Sequence, residues 1–372
     1  MKITSVEPIP LEAPIEKPVG RARQTVPITA RRCLLTKITT DEGLVGYGEG
    51  LTPVAPRAAA SVVRDVLAPF LIGRDPLDTE PIWETLYSTN SSRGYTRGYQ
   101  MIAISAVDIA LWDLKGKILG QPVYKLLGGA FRDRIPLYTT GLMLNGGTEE
   151  AIDLAQEYYN KGFKAMKLKV GVDEKRDLEV VQALRETFGP DLKIMVDANG
   201  AYDPVMAIKI GRKFDALDVF WFEEPVSPED IDGIARVREG LDMYIASGEC
   251  EYTKDGFREL FLRKAIDVCQ PDIARAGGIT ECKKIAALAQ IFHIHYAPHA
   301  WGGAVCIAAT AHLVMTLPNF LLMEFDRAPN PLRDELLMEP LTFKDGFLYI
   351  PDKAGLGIEP DEKALKKFAM TF

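Results

Sequence analysis

Eight short apolar runs recur along the chain from about residue 135, each followed by a helical pattern. The runs have the length and residue types of buried parallel strands. Amphipathic stretches such as EEAIDLAQEYYNKG and EKRDLEVVQALRETFG separate them, with apolar residues three and four positions apart. Eight strands with seven intervening helices predict an α/β fold, a closed (β/α)7β TIM-like barrel. The runs cover residues 135–141, 164–170, 192–198, 219–225, 243–249, 266–272, 294–300 and 320–326.

The residues before 128 follow a different pattern. The segment ARRCLLTKITTDEGLVGYGEG predicts two strands joined by an Asp-Glu-Gly turn, and MIAISAVDIALWDLKGKILG predicts a buried helix that ends at Gly120. Near the C-terminus, LTFKDGFLYIPDKAGLGI predicts a hairpin with an Asp-Gly turn. Since 372 residues exceed one compact domain, we predict an α+β capping domain (residues 1–128) and a barrel (129–326). We expect the C-terminal segment (327–372) to return to the cap.

Composition narrows the range of partners and locations. A net charge of −8 argues against nucleic acid, whose binding needs a clustered basic surface. The five cysteines are scattered without a C-x-x-C pair, which favours a reducing cytoplasm over a disulfide framework or a thiolate zinc site. No apolar signal core or run of membrane-spanning length is present in the sequence, so a membrane partner is not expected. A small anionic substrate would be attracted by local cations.

Three acidic residues, Asp197, Glu223 and Glu249, end three consecutive predicted strands and are evenly spaced along the chain. Because the C-terminal ends of barrel strands form the active face, we expect them at one height on neighbouring strands. Like charges this close need a cation, and carboxylate oxygens suit Mg²⁺. The alternative is that each residue caps the helix after it. Strand alternation predicts that Glu224 points to the opposite face from Glu223.

The second strand carries Lys167 and Lys169 in the motif KLK. The period of two places both side chains on one side of the strand, here the barrel interior. Lysine is rarely buried without a reason, and two neighbouring cations lower each other's pKa, so that one lysine can act as a base near neutral pH. The alternative is a surface strand whose lysines extend into solvent.

The sixth predicted strand ends in Asp272 and the seventh carries His299 near its end. Neighbouring strands allow the carboxylate to hold the imidazole, fix its tautomer and raise its basicity. His293 and His295 fall earlier in the pattern and are assigned to the core or to helix packing. The eighth strand contributes Glu324, as an acid that faces the substrate or as an ion partner at the barrel rim.

This order of strands predicts a particular chemistry. Lys169 on the second strand lies across the barrel from Asp272 and His299, and the acidic trio lies on the arc between them. A carboxylate substrate bound there would have a base on each face of its α-carbon. Because an α-proton is weakly acidic, its removal requires positive charge where the enediolate forms. We therefore expect abstraction of a proton α to a carboxylate.

The motifs KLK, VDAN, FEEP, SGE, QPD and PHAWGG, taken in order, resemble the mandelate racemase subgroup of the enolase superfamily. The resemblance covers essentially the whole chain. It implies a Lys or His base working with Mg²⁺, as is general in that superfamily. It implies that Lys169 is one base, that Lys167 tunes it and contacts the substrate carboxylate, and that the Asp272–His299 dyad is the opposite acid or base. The implied Mg²⁺ ligands are Asp197, Glu223 and Glu249.

The resemblance extends to substrate contacts. It implies that Glu324 is the acid of strand eight and that Asn199 contacts the substrate or the shell around the metal. Trp301 is a further candidate for substrate contact. The stretch MEFDRAPNPLRDELLMEPL, with GLGI after it, is similar to sugar-acid members, among them galactarolactone cycloisomerases and acid-sugar dehydratases. The segment EKPVGRARQTVP would be a capping loop whose Arg21 and Arg23, beside Gly20, suit a polyhydroxylated anion. The alternative is a solvated loop.

Three reactions share the expected enediolate. Loss of a β-hydroxyl makes a dehydratase, loss of a lactone ring oxygen makes a cycloisomerase, and reprotonation from the opposite face makes a racemase or epimerase of a 2-hydroxy acid. A non-catalytic barrel that binds metal or ligand is an alternative of another class, disfavoured by the intact Lys169, Asp272 and His299. A metal-dependent hydrolase is disfavoured by the low histidine count. We expect a homo-oligomer.

Overall fold

The N-terminal part is a three-stranded antiparallel sheet covered by helices in the computed structural model, which describes residues 1–19, 28–142 and 147–371. The strands pair in chain order and are β1 (Ile3–Val19), β2 (Ile28–Thr40) and β3 (Val45–Gly50). The helical segments that follow are α1 (Pro56–Ser61), a π-helical stretch (Val62–Leu67), α2 (Ala68–Leu71), α3 (Thr79–Ser91), α4 (Tyr99–Leu119) and α5 (Val123–Leu126).

Helix α4 lies directly on the cap sheet because β3 is rich in glycine. A Cβ atom at Gly48 would overlap the backbone of Ala106 and Ala110. The helix ends at Gly120, which adopts a left-handed conformation with φ +63°. The predicted pair of strands and the predicted buried helix of the cap are therefore confirmed.

Eight parallel strands, counted within the described residues, alternate with seven helices after the cap. The strands are β4 (Ile135–Leu142), β5 (Ala165–Lys169), β6 (Lys193–Asp197), β7 (Trp221–Glu223), β8 (Tyr244–Ser247), β9 (Val268–Cys269), β10 (His295–Tyr296) and β11 (Met323–Asp326). The helices between them are α6 (Thr148–Asn160), α7 (Glu174–Phe188), α8 (Pro204–Asp215), α9 (Ile231–Glu239), α10 (Thr253–Leu262), α11 (Gly278–Ile291) and α12 (Ala304–Met315).

The sheet closes on itself. Strands β4 to β10 pair in chain order, and β11 pairs with β4, with Met323 opposite Leu137. Phe320, just before β11, forms a parallel bridge with Tyr296 of β10. The predicted (β/α)7β barrel is confirmed.

An apolar layer crosses the barrel interior, with one buried side chain from each strand or from the residues beside it. The rings of Tyr138 and Trp221 meet edge to face within this layer, with centroids 5.0 Å apart. Because alternate side chains of a strand share a face, residues two positions further along face the same interior, closer to the C-terminal ends. The layer is therefore the floor of any site at that end. Its members are Tyr138, Ala165, Met195, Trp221, Ala246, Val268, Ala297 and Leu322.

The C-terminal segment contains α13 (Pro331–Asp334), the hairpin β12 (Thr342–Lys344) and β13 (Phe347–Tyr349), and α14 (Glu362–Phe368). Asp345 and Gly346 have φ of +52° and +77°, as the predicted Asp-Gly turn requires. The hairpin was expected in the cap, but β13 pairs with the beginning of β4. The reason is that β11 pairs with β4 only from Leu137 onward, so the residues before Leu137 are paired by the hairpin.

The residues after the hairpin return to the cap. Ala369 bridges to Leu11 of β1, and the Met370 backbone N–H donates to the Pro10 carbonyl at 2.9 Å. Within the described part of the chain, no helix combines the length and the apolar character needed to cross a membrane.

Candidate active site

Asp197 and Glu223 end β6 and β7 and face the barrel interior. They lie two residues beyond Met195 and Trp221 of the apolar floor, and they are direct neighbours in the strand register. Both side chains are fully buried. Alternation along the strands is thus sufficient to bring these two carboxylates together.

Glu249 joins these two carboxylates through a turn after the end of β8, and not through strand alternation. The register partner of Glu223 on β8 is Ala246, so Glu249 lies three residues beyond the height that we expected from even spacing. After β8 ends at Ser247, the chain turns at Gly248, whose φ of +128° is open to glycine but strained for other residues. This turn directs Glu249 inward, although the expectation of equal height was wrong.

The three acids form one group. One carboxylate oxygen from each of Asp197, Glu223 and Glu249 lies within 4.8 Å of the others. The alternative, that the first two cap the following helices, is not supported, because Asp203 and Asp230 cap α8 and α9. Buried like charges at this separation need positive charge between them, and an all-oxygen donor set fits a hard divalent cation. The residues present therefore fit a metal ion.

Lys167 and Lys169 both face the barrel interior, as the motif KLK predicted. Lys167 is 2% exposed, and its Nζ donates a hydrogen bond to Glu223 and lies 3.5 Å from Asp197 Oδ2. The Nζ of Lys169 donates to Asp197 and to Asn199 Oδ1, the latter at 2.8 Å. The surface-strand alternative is excluded by this burial.

The pKa of Lys167 is shifted in the direction opposite to the one that the sequence predicted. Burial alone would lower its pKa, but Glu223, Glu324 and further acidic groups raise the pKa well above its usual value. The expectation that the neighbouring lysine would lower it was wrong, because carboxylates outnumber lysines around Nζ. The raised pKa favours the charged form of Lys167, which suits a carboxylate ligand.

Burial and the neighbouring charges also shift the pKa values of Asp197 and Glu223. Burial works against ionisation of Asp197, but Lys169 and Lys167 outweigh it and hold the pKa of Asp197 well below its usual range. Burial is the largest effect on Glu223 as well, and with the adjacent Asp197 it raises the pKa of Glu223 despite the ion pair with Lys167.

His299 is held by Asp272, as predicted for neighbouring strands. The distance between His299 Nδ1 and Asp272 Oδ2 is 2.6 Å. The Nε2 atom lies 3.6 Å from Glu249 Oε2 and 3.8 Å from Glu324 Oε2. Burial lowers the pKa of His299, but Glu324, Glu249 and Asp272 outweigh it and raise the pKa to about 9. The imidazole is thus fixed with Nε2 toward the acidic trio.

Glu324 lies between Lys167 and His299. Its Oε1 lies 3.4 Å from Lys167 Nζ, and its Oε2 accepts a hydrogen bond from the Ala300 backbone N–H at 2.8 Å. Its side chain is buried and forms an ion pair with Lys167, as one of the two alternatives for this residue expected.

The predicted substrate contacts have different outcomes. The ring of Trp301 lies under the guanidinium of Arg31 from β2, with 4.3 Å between the guanidinium carbon and the ring centroid. Asn199 contacts Lys169, as described above. Arg21 and Arg23, together with Gly20, lie outside the described residues.

Gln270 is a site residue that the sequence interpretation missed. Its buried side-chain amide donates to Glu223 Oε2 at 2.6 Å. Gln270 lies two residues beyond Val268 of the apolar floor. The period-two alternation that places Lys167 and Lys169 in the interior also places Gln270 there, so this signal in the sequence could have identified it.

Glu224 also belongs to the site, which corrects the prediction of an opposite-facing side chain. Strand β7 ends at Glu223, and Glu224 has a φ of +38°, so alternation no longer applies to it. Its carboxylate is 3% exposed and forms a close group with Glu249 and Cys250. Burial and then the charge of Glu249 raise the pKa of Glu224.

Comparison with known families covers both parts of the chain. Residues 4–128 match the mandelate racemase / muconate lactonizing enzyme N-terminal domain, and residues 150–364 match the enolase C-terminal domain-like family. Enzymes of this superfamily depend on a metal ion, which agrees with the acidic trio.

Individual relatives match over most or all of the chain. It is 39% identical over 381 aligned residues to D-galactarolactone cycloisomerase of Agrobacterium fabrum, covering 100% of this chain and 99% of the relative. It is 36% identical to arabinonate dehydratase of Saccharolobus solfataricus, covering 87% and 86% of the two chains.

A solved structure gives the same result. The crystal structure of the 3,6-anhydro-D-galactonate cycloisomerase from Zobellia galactanivorans superposes with a TM-score of 0.91, at 39% identity and with 100% of both chains covered. With both domain matches and these relatives, the chain belongs to the mandelate racemase / muconate lactonizing enzyme family of the enolase superfamily and is an enzyme of the lyase or isomerase type.

Proposed function

We propose that this enzyme eliminates a β-oxygen from a sugar acid or its lactone, with Mg²⁺ as cofactor, and that cycloisomerisation of a lactone is its main reaction. The observation that carries the proposal is that Lys169 ends β5, while the paired Asp272 and His299 follow β9 and β10, and the acidic trio belongs to the strands between. The preference for a cycloisomerase is supported by two relatives of that type, each 39% identical over the whole chain.

Substrate binding follows from the positive groups of the site. Lys167, kept charged by its acidic neighbours, would hold the substrate carboxylate. Mg²⁺ held by Asp197, Glu223 and Glu249 would supply further positive charge beside that carboxylate as negative charge grows on it. Asn199, Trp301, Arg21 and Arg23 would contact the polyhydroxylated part of the substrate.

Lys169 and His299 together can supply every proton transfer that the elimination requires. Lys169 Nζ or His299 Nε2 takes the α-proton, and the electron pair of that C–H bond forms the enediolate. As the enediolate collapses, a carbon–carbon double bond forms, and the bond between the β-carbon and its oxygen breaks. The conjugate acid on the other side gives the leaving oxygen a proton.

The leaving oxygen decides the product. If it is the lactone ring oxygen, the ring opens and the product is an isomer of the substrate, as in a cycloisomerase. If it is a hydroxyl, one water is lost, as in a dehydratase. The enol formed in either case becomes a 2-keto acid when its β-carbon takes up a proton and its hydroxyl group releases one.

A racemase or epimerase of a 2-hydroxy acid is a second candidate. The same opposed placement of Lys169 and His299 favours it, since a proton removed from one face can be replaced from the other. Without a leaving group at the β-carbon, this is the reaction that the site can perform.

A panel of substrates tests the proposal. Purified protein would be incubated with D-galactarolactone, 3,6-anhydro-D-galactonate, D-galactonate and arabinonate, in Mg²⁺ or in EDTA, and followed by proton NMR in deuterated water. We expect Mg²⁺-dependent formation of a 2-keto product from a lactone, and none in the Lys169→Ala/His299→Asn double variant. Neither α-proton exchange nor product with any of these four acids in the presence of Mg²⁺ would contradict the proposed substrate class.

Assembly and location are also proposed. We expect a homo-oligomer, which light scattering after size-exclusion chromatography would detect. The scattered cysteines favour the cytoplasm, where thiols stay reduced.

A further inference from the structure

A second group of metal-ligand atoms adjoins the acidic trio on its β8 side. A carboxylate oxygen of Glu224, one of Glu249 and the sulfur of Cys250 all lie within 4.8 Å of one another. Glu249 belongs to both groups, while Glu224 and Cys250 belong to this one alone. We call these three residues the second cation group.

The buried carboxylate of Glu224 points to a ligand that the protein itself does not supply. Its Oε1 is shielded from solvent, and among the described residues no hydrogen-bond donor contacts it. A buried carboxylate oxygen without a donor is costly, and such oxygens are normally satisfied by a proton donor or an ion. The side chain nevertheless lies inside the cluster and does not extend toward solvent.

An entry path from the surface supports this. Cys250 lines a cavity of about 550 Å³, together with Ser247, Gly248, Glu229 and Arg97, so small ions can approach the cluster from this side.

We propose that Glu224, Glu249 and Cys250 form a second cation site, for a thiophilic divalent ion of the Zn²⁺ or Cd²⁺ class. Thiolate sulfur selects such ions and is a poor ligand for Mg²⁺, so the two sites differ in the ion that they take. Glu249 belongs to both groups, so its carboxylate would contribute to both sites. The inference goes beyond the proposed reaction and shares only Glu249 with it.

Cadmium is the probe that tests the site. Cd²⁺ would be titrated into the full chain under saturating Mg²⁺, and binding would be followed by ultraviolet thiolate-to-cadmium charge-transfer absorption and by calorimetry. We expect one Cd²⁺ per chain with this absorption. Cys250→Ser should abolish the absorption, and Glu224→Gln should weaken Cd²⁺ binding at least tenfold.

Glu229→Gln is the matched control, because Glu229 lines the same cavity but lies outside the cluster, and it should leave the titration unchanged. Circular dichroism establishes that each variant is folded. The proposal is overturned if the wild-type protein shows no charge-transfer absorption, if the absorption persists in Cys250→Ser, or if Glu224→Gln binds Cd²⁺ as wild type does. Because the readout is spectroscopic, inactivity on sugar acids would leave its result intact.

Discussion

The Nδ1 atom of His299 lies 2.6 Å from Oδ2 of Asp272, with both side chains buried at the active end of the barrel. The other carboxylate oxygen of Asp272 accepts a hydrogen bond from the Ala274 backbone N–H at 2.8 Å. The carboxylate is therefore fixed at both oxygens, and the imidazole can present only Nε2 to the site. A base oriented in this way is ready to move a proton to or from a substrate.

Replacing Asp272 should remove this orientation. Asp272→Asn keeps the size of the side chain but turns the oxygen that faces Nδ1 into a weaker partner for an imidazolium. We expect kcat to fall by about 10²–10⁴-fold, the usual contribution of a positioned acid or base. Steady-state kinetics on the active sugar acid, with circular dichroism for the fold, would measure this. An unchanged kcat would remove the dyad from the mechanism.

Metal binding should depend on Glu249. Glu249→Gln removes one of the three charges that hold the ion, and we expect the Mg²⁺ dissociation constant to rise at least tenfold in calorimetry. Glu229→Gln removes a nearby exposed carboxylate and should leave Mg²⁺ affinity as it is. Equal affinity in wild type and Glu249→Gln would exclude Glu249 from the ligand set.

Gln270 should support the metal site indirectly. Its amide orients Glu223, and loss of such an outer partner typically costs about 10–100-fold in metal affinity or activity. Gln270→Leu should show a loss in this range, because Glu223 loses its amide donor. The test is Mg²⁺ titration of this variant beside wild type. Wild-type affinity in Gln270→Leu would show that the hydrogen bond has no role in the site.

The sequence predicted the parts of this molecule that obey strand and helix periodicity. The eight strands, the glycine-terminated cap helix and the inward lysines all follow from repeating patterns. Glu249 and Glu224 lie beyond strand ends, where positive φ angles at Gly248 and at Glu224 itself set the direction of the chain. No periodic pattern encodes those turns, so the height of Glu249 and the direction of Glu224 were predicted wrongly.

The direction of the Lys167 pKa shift was also predicted wrongly, because it depends on residues that are distant in the sequence and close in the fold. From the sequence, Lys167 has one obvious charged neighbour, Lys169, and a lowered pKa was expected. In the folded barrel, Glu223 and Glu324 arrive from strands far apart in the chain and reverse the shift. Likewise, pairing of the C-terminal hairpin with β4 depends on where β11 begins, which the local sequence does not specify.

His312 gives a prediction about stability that is independent of catalysis. It lies on α12, where its Nδ1 accepts the Tyr124 backbone N–H at 3.2 Å and its Nε2 faces the Leu356 carbonyl at 3.1 Å. Burial lowers the pKa of His312 to about 4. The folded state thus binds this proton more weakly than the unfolded state. The contribution of His312 to the free energy of unfolding is therefore complete above about pH 6.5 and is lost as the pH falls toward 4.

His312→Gln should reduce that pH dependence. From the pKa change, the free energy of unfolding of the wild type should fall by up to about 3 kcal/mol between pH 7 and pH 4 through this residue, a loss that the variant lacks. Urea unfolding at several pH values would show the difference between the two proteins shrinking as the pH falls. Parallel curves would mean that His312 does not titrate on unfolding.

Deuterium uptake at the α-carbon tests the opposed bases most directly. In deuterated water with Mg²⁺, wild-type protein should exchange or eliminate the α-proton of an active sugar acid. Lys169→Ala and His299→Asn should each abolish this for at least one of two α-epimers, while each variant remains folded. Full exchange on both epimers in both variants, or exchange that persists in EDTA, would contradict a mechanism in which a lysine and a histidine face one metal-held carboxylate.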